Sequence, residues 1–336
     1  MRKIISLLPL LLILTACPSP YKYNDVSFPE NPVNFDSLNS VYDDYNSNIP
    51  FIGDDFPLYF SSNRGSAGAQ YDIIYYTINI QFDRKNNELY IGPKNAALWN
   101  AYPTLRNLAA APAKMNSPFN ELGPYAASFD NFSGVWGDNT KFLFFYANDS
   151  SGNLDIKFLR NFTFYDRFAN LTYARAMNSS ADDAYPTYSP LSGEFYFCSN
   201  RSGNYDIYKL PLTDKPNVIE FLANESNSSL VTRDDSLSGD YNDKFPFISG
   251  NVMVFASDRP GGFGGYDLYY SILKNNIWSS PVNMGEKINT SSNECRPILL
   301  ERGVFQNSLI IFSSDRPGGK GGYDLYYAGI PSHSIR

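Results

Sequence analysis

One string of residues recurs along the chain and limits the folds it can adopt. The two clearest copies are "FASDRPGGFGGYDLYYS" at 255–271 and "FSSDRPGGKGGYDLYYA" at 312–328, and weaker copies lie at 60–76, 145–159 and 197–210. All five copies share a phenylalanine near the start, at Phe60, Phe145, Phe197, Phe255 and Phe312. They also share a later aspartate, at Asp72, Asp155, Asp206, Asp267 and Asp324. A chain that repeats one unit predicts a repeat architecture.

Each unit carries the signals of several β-strands. A proline that opens a short apolar run precedes every copy, at Pro50, Pro124, Pro186, Pro246 and Pro297. We expect the first strand to begin at this proline, the second to end at the phenylalanine, and the "YDLYY" run to form the third. A fourth follows, as in "IWSSPVNM" at 277–284. These units predict an all-β propeller of five four-stranded blades, with six blades as the alternative because one gap between copies is long.

The glycine-rich stretch between the second and third strands is typical of a tight hairpin. Glycine supplies the positive φ angles that such turns need. We expect the conserved-looking polar residues of the motif to be structural, each aspartate accepting loop N–H groups and pairing with the nearby arginine. The alternative is a metal or sugar site on every blade. The motif residues are Asn63, Arg64, Asp72, Asp155, Arg201, Asp206, Asp258, Arg259, Asp267, Asp315, Arg316 and Asp324.

The two ends of the chain predict how the ring closes. The last copy stops after its third strand, and "PVNFDSLNS" at 32–40 resembles "PVNMGEKINT" at 281–290, which follows the third strand of the fourth unit. Residues 27–36 are therefore expected to pair with the C-terminal strand, which removes exposed sheet edges. The propeller domain is predicted to span 27–330, followed by a tail at 331–336.

The first 16 residues are typical of a signal peptide. Arg2 and Lys3 precede a short apolar run, too short to span a bilayer as a stable helix. The run ends in "LTAC", which resembles the bacterial lipobox and predicts lipidation at Cys17, with 17–26 as a tether. Pro18 favours the outer membrane over the inner one. The alternative is an ordinary secretory signal with an incidental cysteine.

Composition excludes several classes of chemistry. His333 is the only histidine, so a Ser-His-Asp or Cys-His catalytic set and histidine metal sites are not expected. The glycines lie in hairpins rather than before helices, and Cys-x-x-Cys is absent from the sequence. We therefore expect no catalytic residues, metal or cofactor. The net charge of −7 argues against nucleic acid as a partner. Cys198 and Cys295 are expected to be buried free thiols.

Acidic residues recur three positions before four of the prolines. They are Glu121, Asp183, Asp243 and Glu294, and Ser47 takes this place in the first unit. First strands line the channel of a propeller, so these carboxylates could ring its mouth and bind a cation or a basic partner. The alternative is that each carboxylate caps its own blade through local hydrogen bonds.

The stretch "DDAYPTYSPLSGEFYFCSNRSGNYDIY" at 182–208 and the two "SDRPGGxGGYDLYY" copies resemble the WD-like β-propeller repeat of the TolB type. The resemblance covers about 45–330 and implies a non-enzymatic, lipid-anchored scaffold of the bacterial envelope. Its implied partners are envelope proteins or a peptidoglycan-associated complex, with the acyl chains in the membrane. The alternative is a glycan-binding or glycoside-hydrolase-type five-bladed propeller. A glycosidase needs two or three acids at different heights in the channel, whereas the acids here recur at one position of each unit, which favours the scaffold.

Overall fold

The structure, a computed structural model, describes residues 26–50, 55–93, 108–128, 142–161, 171–213, 217–300 and 305–331. These residues form five antiparallel sheets arranged as the blades of a β-propeller, which confirms the predicted fold. Residues 1–25, with Cys17, and the tail from 332 lie outside the described residues. Among the residues that are described, no helix is both long and apolar enough to cross a membrane.

Each blade consists of four strands that follow one another outward from the channel. The innermost strands are β2 (Asp44–Asn48), β6 (Glu121–Ser128), β10 (Asp183–Ser189), β14 (Asp243–Ser249) and β19 (Glu294–Leu300). The second strands are β3 (Asp55–Ser62), β7 (Phe142–Asn148), β11 (Glu194–Ser199), β15 (Val252–Ser257) and β20 (Ser308–Ser314). The third strands are β4 (Asp72–Asp83), β8 (Asp155–Asn161), β12 (Asp206–Pro211), β16 (Asp267–Lys274) and β21 (Asp324–Ile330). The outer strands are β1 (Val33–Asn34), β5 (Glu88–Pro93), β9 (Thr172–Tyr173), β13 (Thr232–Arg233), and β17 (Ile277–Trp278) with β18 (Val282–Asn283).

The N-terminal strand closes the ring as the sequence predicts. The fifth blade has the strand order β1-β21-β20-β19, and Val33 lies opposite Tyr327. Phe28 and Phe35, on either side of β1, are almost fully buried, at 1% and 2% exposure. The first and last parts of the described chain therefore share one sheet and one core.

The prolines occupy a different place from the one predicted. Four of the five lie inside their first strands, three residues after the strand begins, at a bulge where a proline lacking an N–H is tolerated. The residue just before it has a positive φ in all five blades: Asn46, Gly123, Tyr185, Phe245 and Arg296. In the first blade Ser47 holds the proline's place and Pro50 lies beyond the strand, so the sequence alignment there was shifted by three residues.

Aromatic rings and arginines join the second strand to the third in four blades. Phe312 stacks on Tyr326 at 6.1 Å between ring centroids, and the Arg316 guanidinium lies over both rings at 5.1 and 4.9 Å. Equivalent layers occur at Phe197 and Phe255, and the ring pair of the first blade is Phe60 with Tyr76. Two short helices, α1 (Pro112–Met115) and α2 (Val218–Ala223), were not predicted.

The two described cysteines are free and buried, as expected. Cys198 lies on β11 and Cys295 on β19, both with at most 4% exposure. Burial in apolar surroundings raises the pKa of both thiols, to about 11 and about 12, so both stay protonated and unreactive at neutral pH.

Candidate functional site

The first-strand carboxylates are buried in their own blades rather than exposed around the channel mouth. Each is fully buried, and in four blades it forms an ion pair with the arginine of the hairpin between the second and third strands. The N···O distances are 2.5 Å for Asp44–Arg64, Asp183–Arg201 and Asp243–Arg259, and 3.0 Å for Glu294–Arg316. The acid of the first blade is therefore Asp44, and the prediction that Ser47 replaces it is wrong. In these four blades the hairpin arginine pairs with the first-strand acid, and the prediction that it pairs with the third-strand aspartate is wrong.

The loop that enters each first strand supplies the other partners. Asp183 accepts hydrogen bonds from the backbone N–H and the hydroxyl of Ser179, at 2.6 and 2.7 Å. Ser40, Ser117 and Thr290 repeat this arrangement in three other blades, and Gly239 donates its N–H in the fourth. These contacts match the local-capping alternative, and together with the ion pairs they leave Asp183, Asp243 and Glu294 no free face toward a ligand.

The third-strand aspartates accept hydrogen bonds from the hairpin, as the sequence predicts, but they do not pair with the hairpin arginine. Asp267 accepts N–H groups from Phe263 and Gly264, and Asp324 does the same from Lys320 and Gly321. Asp155 and Asp206 are each bonded by a loop serine, and Asp206 pairs with Arg233 of β13 at 3.0 Å. These four carboxylates have local donors, which matches the structural role of the motif rather than a ligand site on every blade.

A second polar set lies at the start of the first strands, and the sequence predicted only part of it: Asn63, Asp258 and Asp315 belong to the structural motif, but their partners were not identified. The residue before each buried acid forms a reciprocal pair with the residue that follows the second strand, and each pair contains one aspartate and one asparagine. We call these the Asp/Asn pairs: Asp43 with Asn63, Asn120 with Asp149, Asp182 with Asn200, Asn242 with Asp258, and Asn293 with Asp315. The first-strand member also accepts an N–H from the preceding blade, so these pairs join neighbouring blades.

Tyrosines surround the channel where the first strands begin. Four stand just before a third-strand aspartate, and each backbone carbonyl accepts the N–H of the next blade's buried acid at 2.7–2.8 Å. Tyr45 packs between two of these rings, with centroids 5.0 Å from Tyr71 and 5.8 Å from Tyr323. All five rings are partly buried. We call this set the tyrosine mouth: Tyr45, Tyr71, Tyr205, Tyr266 and Tyr323.

Glu121 differs from the other four buried acids because it has no arginine partner. Asn148 takes the place of the serine that ends the second strand in the other blades, and it donates to Glu121 at 2.6 Å. Lys157 donates to the Asn148 side-chain oxygen and to the Ser150 hydroxyl, each at 2.7 Å, and within the described part of the chain it forms no ion pair with Glu121 itself. Burial therefore dominates and raises the pKa of the Glu121 carboxyl to about 7, while hydrogen bonds from Ser117 and Asn148 lower it in part. Glu121 thus titrates near neutral pH, as a proton donor must.

Tyr71 links this unusual carboxyl to a second one. Its hydroxyl donates to Asp43 at 2.6 Å, and its carbonyl accepts the N–H of Glu121 at 2.8 Å. Asp72, the next residue, also has a raised pKa because of burial, and its charge raises the pKa of Glu121 further. Carboxyl groups with perturbed pKa values cluster at functional sites, so the boundary between the first two blades is the candidate site. Within the described ranges, no group of three His, Cys, Asp or Glu residues could hold a metal ion.

Comparisons with known proteins agree with this fold. No family model matches the chain, and no curated protein does. An endo-arabinase from Bacteroides thetaiotaomicron matches with a TM-score of 0.51 and 11% identity, covering 90% of this chain and 97% of its own. An α-L-arabinofuranosidase from Podospora anserina, solved with cellotriose, matches with a TM-score of 0.50 and 9% identity, covering 93% and 98%.

These matches correct three expectations from the sequence. The similar structures are glycoside hydrolases and not TolB-type repeats, which contradicts the TolB assignment. The same finding contradicts the non-enzymatic scaffold and the expectation that the chain is not an enzyme. The short motifs misled because they encode strand ends and hairpins, which propellers of any activity need. At such low identity the likeness itself shows the fold alone.

Proposed function

We propose that this chain is a carbohydrate-active propeller of the glycoside-hydrolase type, with its glycan bound at the tyrosine mouth. The observation that carries the proposal is that Glu121, beside that mouth, is the one buried first-strand acid of the described residues without an arginine partner, and burial raises its pKa to about 7. A carboxyl that is partly protonated at neutral pH can give a proton to a leaving glycosidic oxygen. The two similar glycoside hydrolases named above support the choice of a glycan as substrate.

The tyrosine mouth provides the surface on which a sugar could lie. Its rings present apolar faces, and two hydroxyls are fixed by carboxylates, Tyr71 by Asp43 at 2.6 Å and Tyr205 by Asp182 at 2.7 Å. Apolar walls with a few fixed polar groups are the usual make-up of a small-molecule site. Asp43 is the second carboxylate of the proposed reaction. Tyr71 connects it to Glu121, because the Tyr71 hydroxyl donates to Asp43 and the Tyr71 carbonyl accepts the N–H of Glu121.

Inverting and retaining glycosidases both need a second carboxylate, which activates water in the first class and attacks the sugar in the second. In the proposal Asp43 has this role and Glu121 donates the proton. Asp43 is bonded by Asn63, by the Tyr71 hydroxyl and by the Tyr323 N–H, which fix its orientation. Substrate binding must loosen the Ser117 contact for the Glu121 proton to reach a glycosidic oxygen, since the carboxyl is fully buried without ligand.

Lipidation at Cys17 remains part of the proposal. An acylated Cys17 would hold the propeller at the surface of a bacterial envelope membrane, most suitably the outer one, where extended glycans are within reach of a tethered domain. The support is the "LTAC" sequence after a short apolar run.

The test uses arabino-, xylo- and cello-oligosaccharides. Reducing-sugar release measures their hydrolysis, and calorimetry measures their binding. Glu121→Gln keeps the shape of the side chain but removes the acidic proton, so we expect at least a hundredfold loss of kcat with binding retained. Asp43→Asn should cause a similar loss. Asp258→Asn is the matched control, because it makes the same change in the Asp/Asn pair of the fourth blade, away from the proposed reaction.

Two outcomes would contradict the proposal. The first is the absence of both binding and hydrolysis across the whole oligosaccharide panel with folded protein. The second is hydrolysis that Glu121→Gln and Asp258→Asn reduce equally, because the site would then not lie between the first two blades.

A further inference from the structure

Arg296 is the largest fully buried side chain of the described residues and has no acidic partner among them. It lies on β19 in the channel layer formed by the five positive-φ residues. Its only hydrogen bond in the described structure runs from Nη2 to the carbonyl of Pro124, at 3.3 Å, and its Nε and Nη1 have none. A buried guanidinium without a counter-charge is strongly unfavourable, so this position requires a partner.

The surroundings of Arg296 offer further unused polar groups. Both polar atoms of the Asn46 amide, in the same layer on β2, are buried without a hydrogen bond. The Tyr185 ring lies under the guanidinium, 5.3 Å from its carbon, and packs edge-on against Phe245 at 4.5 Å. Burial lowers the pKa of Arg296 to about 10, yet even this value leaves it charged at neutral pH.

A second cation lies nearby and is also without an acid. Lys244, on β14, places its Nζ 3.9 Å from the ring centre of Tyr205 and 5.2 Å from that of Phe245. Among the described residues it forms no ion pair. Lys244 and Arg296 both lower the pKa of Cys198, so both act on the same part of the channel. A chain with a net charge of −7 thus keeps two uncompensated positive charges together inside its channel.

We propose that the channel binds a small monovalent anion at Arg296 and Asn46, drawn in through the tyrosine mouth by Lys244. The Arg296 Nε–H and Nη1–H and the Asn46 amide supply the hydrogen bonds, and the aromatic walls exclude water and strengthen them. The anion is either a free halide or a carboxylate small enough to enter. The inference does not depend on glycan hydrolysis, since Arg296 of the fifth blade, Lys244 of the fourth and Asn46 of the first have no role in the proposed reaction.

The experiment measures thermal melting of the folded propeller at constant ionic strength while sodium chloride, acetate or glucuronate replaces sodium sulfate. A ligand that binds only the native state raises Tm with a saturating dependence on its concentration. We expect a rise of several degrees with chloride, acetate or both. A rise with acetate and glucuronate but not chloride identifies a carboxylate as the occupant, and a rise with chloride alone identifies a halide.

Variants and a bromide crystal complete the test. Arg296→Met should abolish the saturable rise and Lys244→Met should shift it to at least tenfold higher anion concentration. Lys287→Met, at an exposed lysine paired with Glu30, is the matched control and should change nothing. Should Arg296→Met fail to fold, an anomalous bromide peak beside Arg296 in the unaltered protein supports the proposal. An identical Tm in all the salts would overturn it, as would a bromide-soaked crystal with no such peak when chloride is the anion that raises Tm.

Discussion

The Asp/Asn pairs show how single residues join neighbouring blades. In the fourth blade Asp258 accepts both the N–H of Asn242, at 2.8 Å, and its side-chain amide, at 2.7 Å. Asn242 in turn accepts the N–H of Tyr205 in the preceding blade, at 3.1 Å. In the first and third blades the aspartate and asparagine are exchanged, and the contacts are kept. One carboxylate and one amide per pair avoid both charge repulsion and facing NH₂ groups.

Exchanging the two residues in the fourth blade should therefore be tolerated where single changes are not. Asn242→Asp places two carboxylates together, and Asp258→Asn places two amides together, so we expect each to lower the free energy of unfolding by about 0.5–1.5 kcal/mol. The double variant should recover most of the loss, as a double-mutant cycle by urea denaturation would measure. Additive losses in the double variant would refute the pairing rule.

Glu121 gives the protein an unusual dependence on pH. Its pKa is 4.5 in an unfolded chain and about 7 in the native state, so between these values the native state holds a proton that the unfolded state has lost. Stability therefore decreases as pH rises from about 4.5 to about 7 and levels off above, by roughly 3 kcal/mol from this group. Glu121→Gln should remove this decrease in urea denaturation curves at pH 5 and 8. Glu286→Gln, at an exposed site, is the control, and a decrease that survives Glu121→Gln would contradict the assignment.

At the scale of elements, the repeat predicted the strands well and the side-chain partners less well. The blade count and ring closure followed from copies of one motif and from the likeness of 32–40 to 281–290. The arginine partner was wrong because Arg201 is nearer in sequence to Asp206, whereas strand pairing places Ser199 opposite Asp183 and brings Arg201 beside that acid. The shift in the first blade arose because Ser47 stands where other blades have proline, although Asp44 was present as a signal.

The closing strand β1 should matter for stability beyond its two residues. Deleting 26–36 would expose the edge of β21 and remove the buried Phe28 and Phe35 rings, at roughly 1.5–3 kcal/mol each, so we expect a loss of several kcal/mol in urea denaturation. Phe35→Ala should reproduce a large part of it, about 3–5 kcal/mol for a buried phenylalanine. Val33→Ala, at a side chain 36% exposed, is the matched control. An unchanged midpoint in the deletion variant would mean that β1 does not close the ring.

At the scale of the whole molecule, the candidate site could not be found from the motif because it lies where the motif fails. Four blades satisfy the buried acid with an arginine, and the second blade does so with the Asn148 amide, to which Lys157 donates, which leaves Glu121 titratable. In the sequence this was visible as "YAND" in place of the Ser-Asn-Arg pattern. The effect of this change on Glu121 depends on the register in which β6 pairs with β7. The placement of Arg296 and Asn46 in one layer likewise depends on the register of the strands.

Attachment to a membrane is the whole-molecule property that the sequence predicts through Cys17. If Cys17 carries the acyl chains, Cys17→Ala should leave the protein either soluble or unprocessed with its first 16 residues attached, because each buried CH₂ of the lipid contributes roughly 0.8 kcal/mol to anchoring. Fractionation of a producing bacterium, with the mass of the mature chain, measures this. Cys198→Ala is the matched control, since this buried thiol lies within the propeller and the variant should remain membrane-bound. A processed Cys17→Ala protein that still resists salt extraction from membranes would disprove lipid anchoring, and the glycan proposal would then concern a propeller held by other means.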